Sequence, residues 1–423
     1  MKKRLPFVLC ALMAVLFIFG MTDIKAANVK WNYKKTIEQK KGSFTYRAIV
    51  SKNGKEAWIY NISINKKKNP HKLSIPEKLK GKTVTCIGSC DKIQKPDDWT
   101  LNIFGSSVER FHNYPGRTSK IKQIKIPKTV MVIQPTTFSG MTSIKKITIP
   151  KKVKELKKET FYGCTSLETV ILPTGLEELD AAAFQDCPSL KNLKLSLSNK
   201  TYQIKANCVI TKKKMELVYV LPTGQPLNIP EGTKVIKEYA FNNASSPVVN
   251  IPASVNRIEG NAFAAELQGT NGKIKDVTVS DDNAMYAKDG QCIYNKMNKS
   301  LSVAIANEAK DIRISDQIER IDETINVVNI DLDEESCEKL IFPATLRSVR
   351  VPAFNYIHAR KVYFLASNPP YVENSIEDYA SLPIFTDIYV LKDSLGVYQE
   401  WYKANDVDDC VYNWYTFLSE DEI

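Results

Sequence analysis

The side chains that could do chemistry are few and poorly grouped. There are three histidines, His71, His112 and His358, and none sits in a metal-ligand spacing or beside a nucleophile motif. Cys86 and Cys90 are one residue too far apart for a redox Cys-x-x-Cys pair and have no nearby zinc partners. The run Asp331-Leu332-Asp333-Glu334-Glu335 offers carboxylates to a hard cation, yet lacks the glycine and ligand spacing of a calcium loop, and reads as a solvated acidic loop. The 17 glycines are scattered and build no phosphate-cradling loop. No carboxylate pair is marked out for glycoside hydrolysis. These residues imply no metal or other cofactor and no enzyme, a polysaccharide-acting enzyme standing only as a remote alternative to a binding protein. What does recur is lysine: Lys122, Lys125, Lys145, Lys146, Lys191 and Lys194. Gathered on one face, ammonium groups attract carboxylates, sulfates and other anions.

Their placement depends on a repeat of 23 residues. Starting at Ile121, one apolar position reads Ile121, Ile144, Leu167, Leu190. The next reads Ile124, Ile147, Val170, Leu193, and the third Ile126, Ile149, Leu172, Leu195. Pro127, Pro150 and Pro173 follow, with Ser196 in the fourth copy. Further on come Val130, Val153, Leu176, then Ile133, Leu156, Leu179, then Phe138, Phe161, Phe184, then Met141, Cys164, Cys187. The Ile-x-Ile-Pro segment alternates apolar and polar residues, the signature of a short half-buried strand. Proline has no N–H to donate and ends it. Val-x-x-Ile turns the chain back, and the phenylalanine fills the far side of the core. One short strand per coil is therefore expected, with Phe138, Phe161, Phe184, Phe241, Phe263, Cys164 and Cys187 as structural core. Coils of this size bury their apolar side only by stacking. Stacking would set the lysines of successive strands side by side, between the buried positions.

The pattern continues with decay. It runs from Ile75-Pro76 through Ile229-Pro230 and Ile251-Pro252 to Phe342-Pro343, for about ten coils. Ser196, Ser280 and Ser315 stand where proline is missing. Tyr202, Cys208, Val209 and Leu217 match Tyr286, Cys292, Ile293 and Leu301 at a constant offset of 84, a duplicated hairpin. Two folds have coils of about this length, a leucine-rich-repeat array and a right-handed parallel β-helix. One strand per coil, the fixed proline and the Phe-x-x-Cys step favour the first, so the expected fold class is a β-rich leucine-rich-repeat solenoid. Residues 27–72, with alternating strands around Asn53-Gly54, would form an N-terminal β cap. Residues 73–352 would be the array, broken by an irregular insertion at 88–120, and 353–423 a C-terminal cap.

The Leu-x-x-Ile-x-Ile-Pro strand, the Val-x-x-Ile step and the Phe-x-x-Cys-x-x-Leu step resemble the BspA-like leucine-rich-repeat surface proteins of bacteria. So do Gly81-Lys82-Thr83-Val84-Thr85 and the C-terminal Asn368-Pro369-Pro370. The resemblance implies secretion or surface display, and adhesion or protein binding in some members. It implies no particular ligand, because repeat proteins vary the exposed face on a shared scaffold.

The N-terminus agrees with export. Lys2, Lys3 and Arg4 precede an apolar stretch from Leu5 to Gly20, and Ile24-Lys25-Ala26 offers a cleavage site, so residues 1–26 read as a signal peptide. Cleavage removes four basic residues and one acidic one, which takes the net charge from +12 to +9. No transmembrane segment is expected after cleavage. The expected locations are the medium, the cell surface or the periplasm. The expected partners are an extracellular protein or an anionic glycan, and no nucleic acid. Eight cysteines remain, an even number that allows disulfides. Cys164 and Cys187, in register with Met141, are expected instead to be small buried fillers.

Overall fold

A computed structural model describes residues 29–64, 70–90, 92, 121–263, 274–322, 326–328, 337–350, 359–373, 387–405 and 413–417. The proposed signal peptide, nearly all of the 88–120 insertion, the 331–335 acidic run, His112, His358 and Cys410 lie outside the described residues.

The chain is a strand-rich leucine-rich repeat fold. The Ile-x-Ile segments form parallel ladders, as the alternation demands. Lys146–Thr148, Thr169–Ile171 and Asn192–Lys194 pair with Ile147, Val170 and Leu193 in one row. Those three side chains are buried, as are the phenylalanines on the far side. Phe138, Phe161 and Phe184 stack at centroid distances of 5.3 and 5.6 Å. Tyr219 then meets Phe184 edge-on at 5.4 Å. Phe241 and Phe263 stack at 4.3 Å, and Phe342 and Phe364 at 5.1 Å.

The expectation of one strand per coil is corrected. Regular coils carry a second short strand. Glu155–Leu156 pairs in parallel with Glu178–Leu179, and Glu216–Val220 with Val235–Ile236 and then Arg257–Ile258. The reason lies in the backbone. Val153 N–H donates to Pro150 O, and Leu176 N–H to Pro173 O, which closes a tight turn after each proline. The next residues then run across the core in the same direction in every coil. Their buried polar groups need partners, and the neighbouring coil supplies them. The serine coils keep the same turn, since Ser196 O, Ser280 O and Ser315 O accept from Asn199, Asn283 and Ile318 N–H. Proline favours this turn but is not required for it.

A third backbone feature sits two residues before the phenylalanine. Thr136, Glu159, Tyr239 and Asn261 all adopt left-handed φ values of 58 or 59°. For side chains other than glycine this conformation costs about 1–2 kcal/mol. Bonds to the next coil hold the corner: Glu159 N–H donates to Ala182 O and Phe161 N–H to Ala183 O.

Each duplicated excursion is a three-stranded antiparallel unit. Tyr202–Lys205, Cys208–Thr211 and Glu216–Val220 form the first; Tyr286–Asp289, Cys292–Asn295 and Leu301–Ile305 form the second. Each unit hangs on one buried asparagine. Asn199 Nδ2 donates to Thr174 O and Leu176 O, while its Oδ1 accepts from Thr201 and Tyr202 N–H. Asn283 makes the same four bonds to Pro252, Val255, Met285 and Tyr286. At the N-terminal side, Trp31–Lys41, Phe44–Ser51 and Glu56–Ile64 form an antiparallel meander. Its last strand pairs in parallel with Lys82–Ile87, which pairs with Val132–Ile133 and so joins the meander to the second set of ladders.

Truncating the middle ring of the aromatic column should leave a cavity that its two stacked neighbours cannot close. Phe161→Ala is expected to cost about 3–5 kcal/mol. Urea denaturation of the full chain checks this, and a loss under about 1 kcal/mol would contradict an interior position for Phe161.

Candidate ligand-binding face

Residues between the buried positions of the Ile-x-Ile strands project to the outside of the ladder. Lys122, Lys125, Lys145, Lys146, Lys191 and Lys194 are all exposed there. Lys145, Lys146, Lys191 and Lys194 belong to the 146–194 ladder and its immediate approach. Lys122 and Lys125 lie on the adjacent ladder, where Gln123–Lys125 pairs with Lys72–Ser74. That pairing brings in a residue the sequence reading missed. Lys72 is exposed and in register with Gln123. The signal for it was present, because Leu73-Ser74-Ile75-Pro76 repeats the strand motif and so fixes the outward position of Lys72.

The lysines are not equivalent. Lys145 Nζ lies 2.9 Å from Glu168 Oε1 in the next coil. Glu168 O in turn accepts from Lys191 N–H, so this column reads Lys–Glu–Lys. Lys145 is thereby neutralised locally. Among the described residues, Lys72, Lys122, Lys125, Lys146, Lys191 and Lys194 have no carboxylate within ion-pair distance. Strands stack about 4.8 Å apart, less than the screening length of about 8 Å at physiological salt. In register Lys146 stands beside Thr169 and Lys194 beside Ile171, so uncharged rungs set the unpaired ammonium groups apart. Together they make a diffuse positive face that favours an anion laid along it.

The cysteines offer no competing chemistry. Cys86, Cys90, Cys164, Cys187, Cys208, Cys292 and Cys337 are all buried free thiols. Cys164 Sγ donates to Phe138 O, and Cys187 Sγ to Phe161 O, each at 3.0 Å. Asn243 Nδ2 does the same for Phe184 O. Each coil thus satisfies the phenylalanine carbonyl of the preceding one. Burial pushes the thiols of Cys208, Cys292 and Cys337 up to about 12, and those of Cys86 and Cys187 upward as well. They are neutral donors at physiological pH rather than nucleophiles. His71 is exposed. Among the described residues no His, Cys, Asp and Glu cluster could hold a metal ion. No described helix is long and apolar enough to cross a membrane.

Repeated buried strands, a lysine-bearing outer face and a column of phenylalanines define a leucine-rich repeat protein. The sequence pattern of the BspA type leucine rich repeat region matches residues 110–222 and 223–325 in six copies, and the chain belongs to that family. A leucine rich cell surface protein from Faecalibacterium prausnitzii is similar at 16% identity, with 78% of this chain and 94% of that one covered and a TM-score of 0.38. A leucine-rich repeat protein from Bacteroides ovatus is similar at 14% identity, with 89% and 99% covered and a TM-score of 0.31. One from Eubacterium ventriosum is similar at 14% identity, with 84% and 78% covered and a TM-score of 0.30. No curated protein matches the chain.

The buried thiols predict an alkaline limit. Their folded pKa lies above the unfolded value, so unfolding releases protons between about pH 9 and 12 and stability falls as pH rises through that window. The stabilising effect is fully present below the unfolded pKa. Urea midpoints should drop between pH 8 and pH 10.5, and the drop should shrink in a Cys208→Ala, Cys292→Ala double variant. An unchanged midpoint across this range would contradict the burial of these groups.

Proposed function

We propose that the chain is an exported binding protein, displayed at the cell surface or held in the periplasm, whose lysine face contacts an acidic ligand. The observation that carries this reading is the set of outward lysines without a carboxylate partner, arrayed on two adjoining ladders. On this reading residues 1–26 are a cleaved leader. Residues 73–352 act as a solenoid, closed by 27–72 at one end and 353–423 at the other. The role is adhesion or capture rather than catalysis. The ligand is a protein rich in Asp and Glu or an anionic glycan, and the interaction is electrostatic, so it weakens as salt rises.

Reversing three of the unpaired lysines tests this directly. The Lys125→Glu, Lys146→Glu, Lys194→Glu protein should lose about tenfold or more of its affinity for immobilised heparin and for sialylated mucin at low salt. Its thermal midpoint should be nearly unchanged, because surface substitutions of this kind stay within about 0.5 kcal/mol each. Equal retention of both ligands by the variant and the parent would overturn the assignment of this face.

A further inference from the structure

Further along the chain the exposed strand positions change character. Leu227–Asn228, Val248–Ile251 and Asp276–Val279 form a parallel ladder with Asn228 opposite Asn250 and Asn250 opposite Thr278. These three residues precede Ile229, Ile251 and Val279, as Thr148 precedes Ile149. They are joined head to tail. Thr278 Oγ1 donates to Asn250 Oδ1 at 2.6 Å, and Asn250 Nδ2 donates to Asn228 Oδ1 at 2.6 Å. The relay fixes both amide orientations. It leaves Asn228 Nδ2 and the second hydrogen of Asn250 Nδ2 as donors, and the Thr278 lone pairs as acceptors.

This relay lines a groove of about 570 Å³. The tip of the first duplicated hairpin supplies one wall through Lys205 and Ala206, and Glu231 stands on the rim. Ala206 and Asn207, at φ 47 and 61°, make the tight turn that holds this tip. Lys205 and Glu231 are exposed, and neither has an ion-pair partner among the described residues. Their charges cancel, so the groove as a whole is neutral, unlike the lysine face. Pro230 and Pro252 add apolar surface beside the polar row.

We propose that this groove is a second binding site and that it takes a neutral saccharide, one or two sugar units of an uncharged glycan. A hydroxyl both donates and accepts, so it can meet any rung of the relay, the ammonium of Lys205 or the carboxylate of Glu231. Bonds to the two charged groups are the stronger ones. The volume falls within the range of about 300–1,000 Å³ common to small-molecule sites. An extended peptide fits less well. Its residues advance about 3.3 Å each, while the rungs are about 4.8 Å apart, so successive backbone groups fall out of step with the row.

The full chain, the Asn250→Ala and Lys205→Ala variants, and the triple lysine variant are passed over an array of neutral oligosaccharides and an array of extended peptides. Each is run at low salt and at about 1 M salt, where the screening length is about 3 Å. The parent should retain a neutral oligosaccharide at both salts. Asn250→Ala and Lys205→Ala should each weaken it about tenfold, while the triple lysine variant binds it as the parent does. Lys205 lies on an exposed hairpin tip, so its variant stays informative should Asn250→Ala lower the melting temperature. Retention of no saccharide, equal retention by parent and both groove variants, or retention of peptides alone would each overturn the proposal. None of these outcomes bears on the lysine face, whose binding is read from heparin and mucin.

Discussion

Every part of this molecule depends on one coil finding the next in register. A single coil leaves strand backbone groups unpaired and its apolar side exposed. The neighbour satisfies both at once. Its carbonyls accept the strand N–H groups, its thiol or amide caps the phenylalanine carbonyl, and its ring covers the phenylalanine face. The left-handed corners at Thr136, Glu159, Tyr239 and Asn261 follow from the same constraint. Alone, such a corner is a cost. In the stack it points the next N–H at a carbonyl of the following coil and is offset by that bond. Stability is accordingly a property of interfaces between repeats rather than of any one repeat.

The sequence shows this architecture well where the residue type itself is the cause. Isoleucine alternation, the proline stop and phenylalanine at a fixed interval are direct consequences of burial and of the missing proline N–H. The structure buries Ile147, Val170 and Leu193 and the phenylalanines, with Ile124, Ile126 and Leu195 partly buried against the same core. It shows less where the cause is backbone geometry. The second ladder has only two residues per strand, and in Glu155–Leu156 just one of them is buried, too little for a period to emerge. The corner residues are Thr, Glu, Tyr and Asn, so no glycine announces the positive φ. Asn199 and Asn283 look like ordinary turn residues, yet each is the hub of four hydrogen bonds. The lysine face was legible as a set of positions. The pairing of Lys145 with Glu168 was visible only as a spacing of 23, which acquires meaning once the register is known.

The division between constrained and unconstrained positions explains where function can reside. Inward rows are restricted to apolar residues of similar size, because each must match the same row in two neighbours. The outward row meets no such test. Its members need only tolerate an extended backbone, and they vary freely from ladder to ladder.

That row changes chemistry along the chain. In outward register it carries Lys125, Thr148, Ile171 and Lys194, then Asn228, Asn250 and Thr278, then Arg313, and then Ile341, Tyr363, Tyr389 and Tyr415. The tyrosines stack in register at 4.4 and 4.7 Å. Their exposure rises from 7% at Tyr363 to 42% at Tyr415 as the last strand is reached. Solubility alone would be served by charge throughout, and lysine best of all on an open strand. Replacing lysine by a neutral amide relay and, beyond Arg313, by aromatic rings gives up that benefit. The relay also fixes amide rotors that solvent would otherwise leave free, an entropic cost offset in part by the two hydrogen bonds it makes between neighbouring coils. The inward rows keep one chemistry from coil to coil because each must match its neighbours, while the outward row changes chemistry along the chain, so differences in contact chemistry along this scaffold are confined to its outer face.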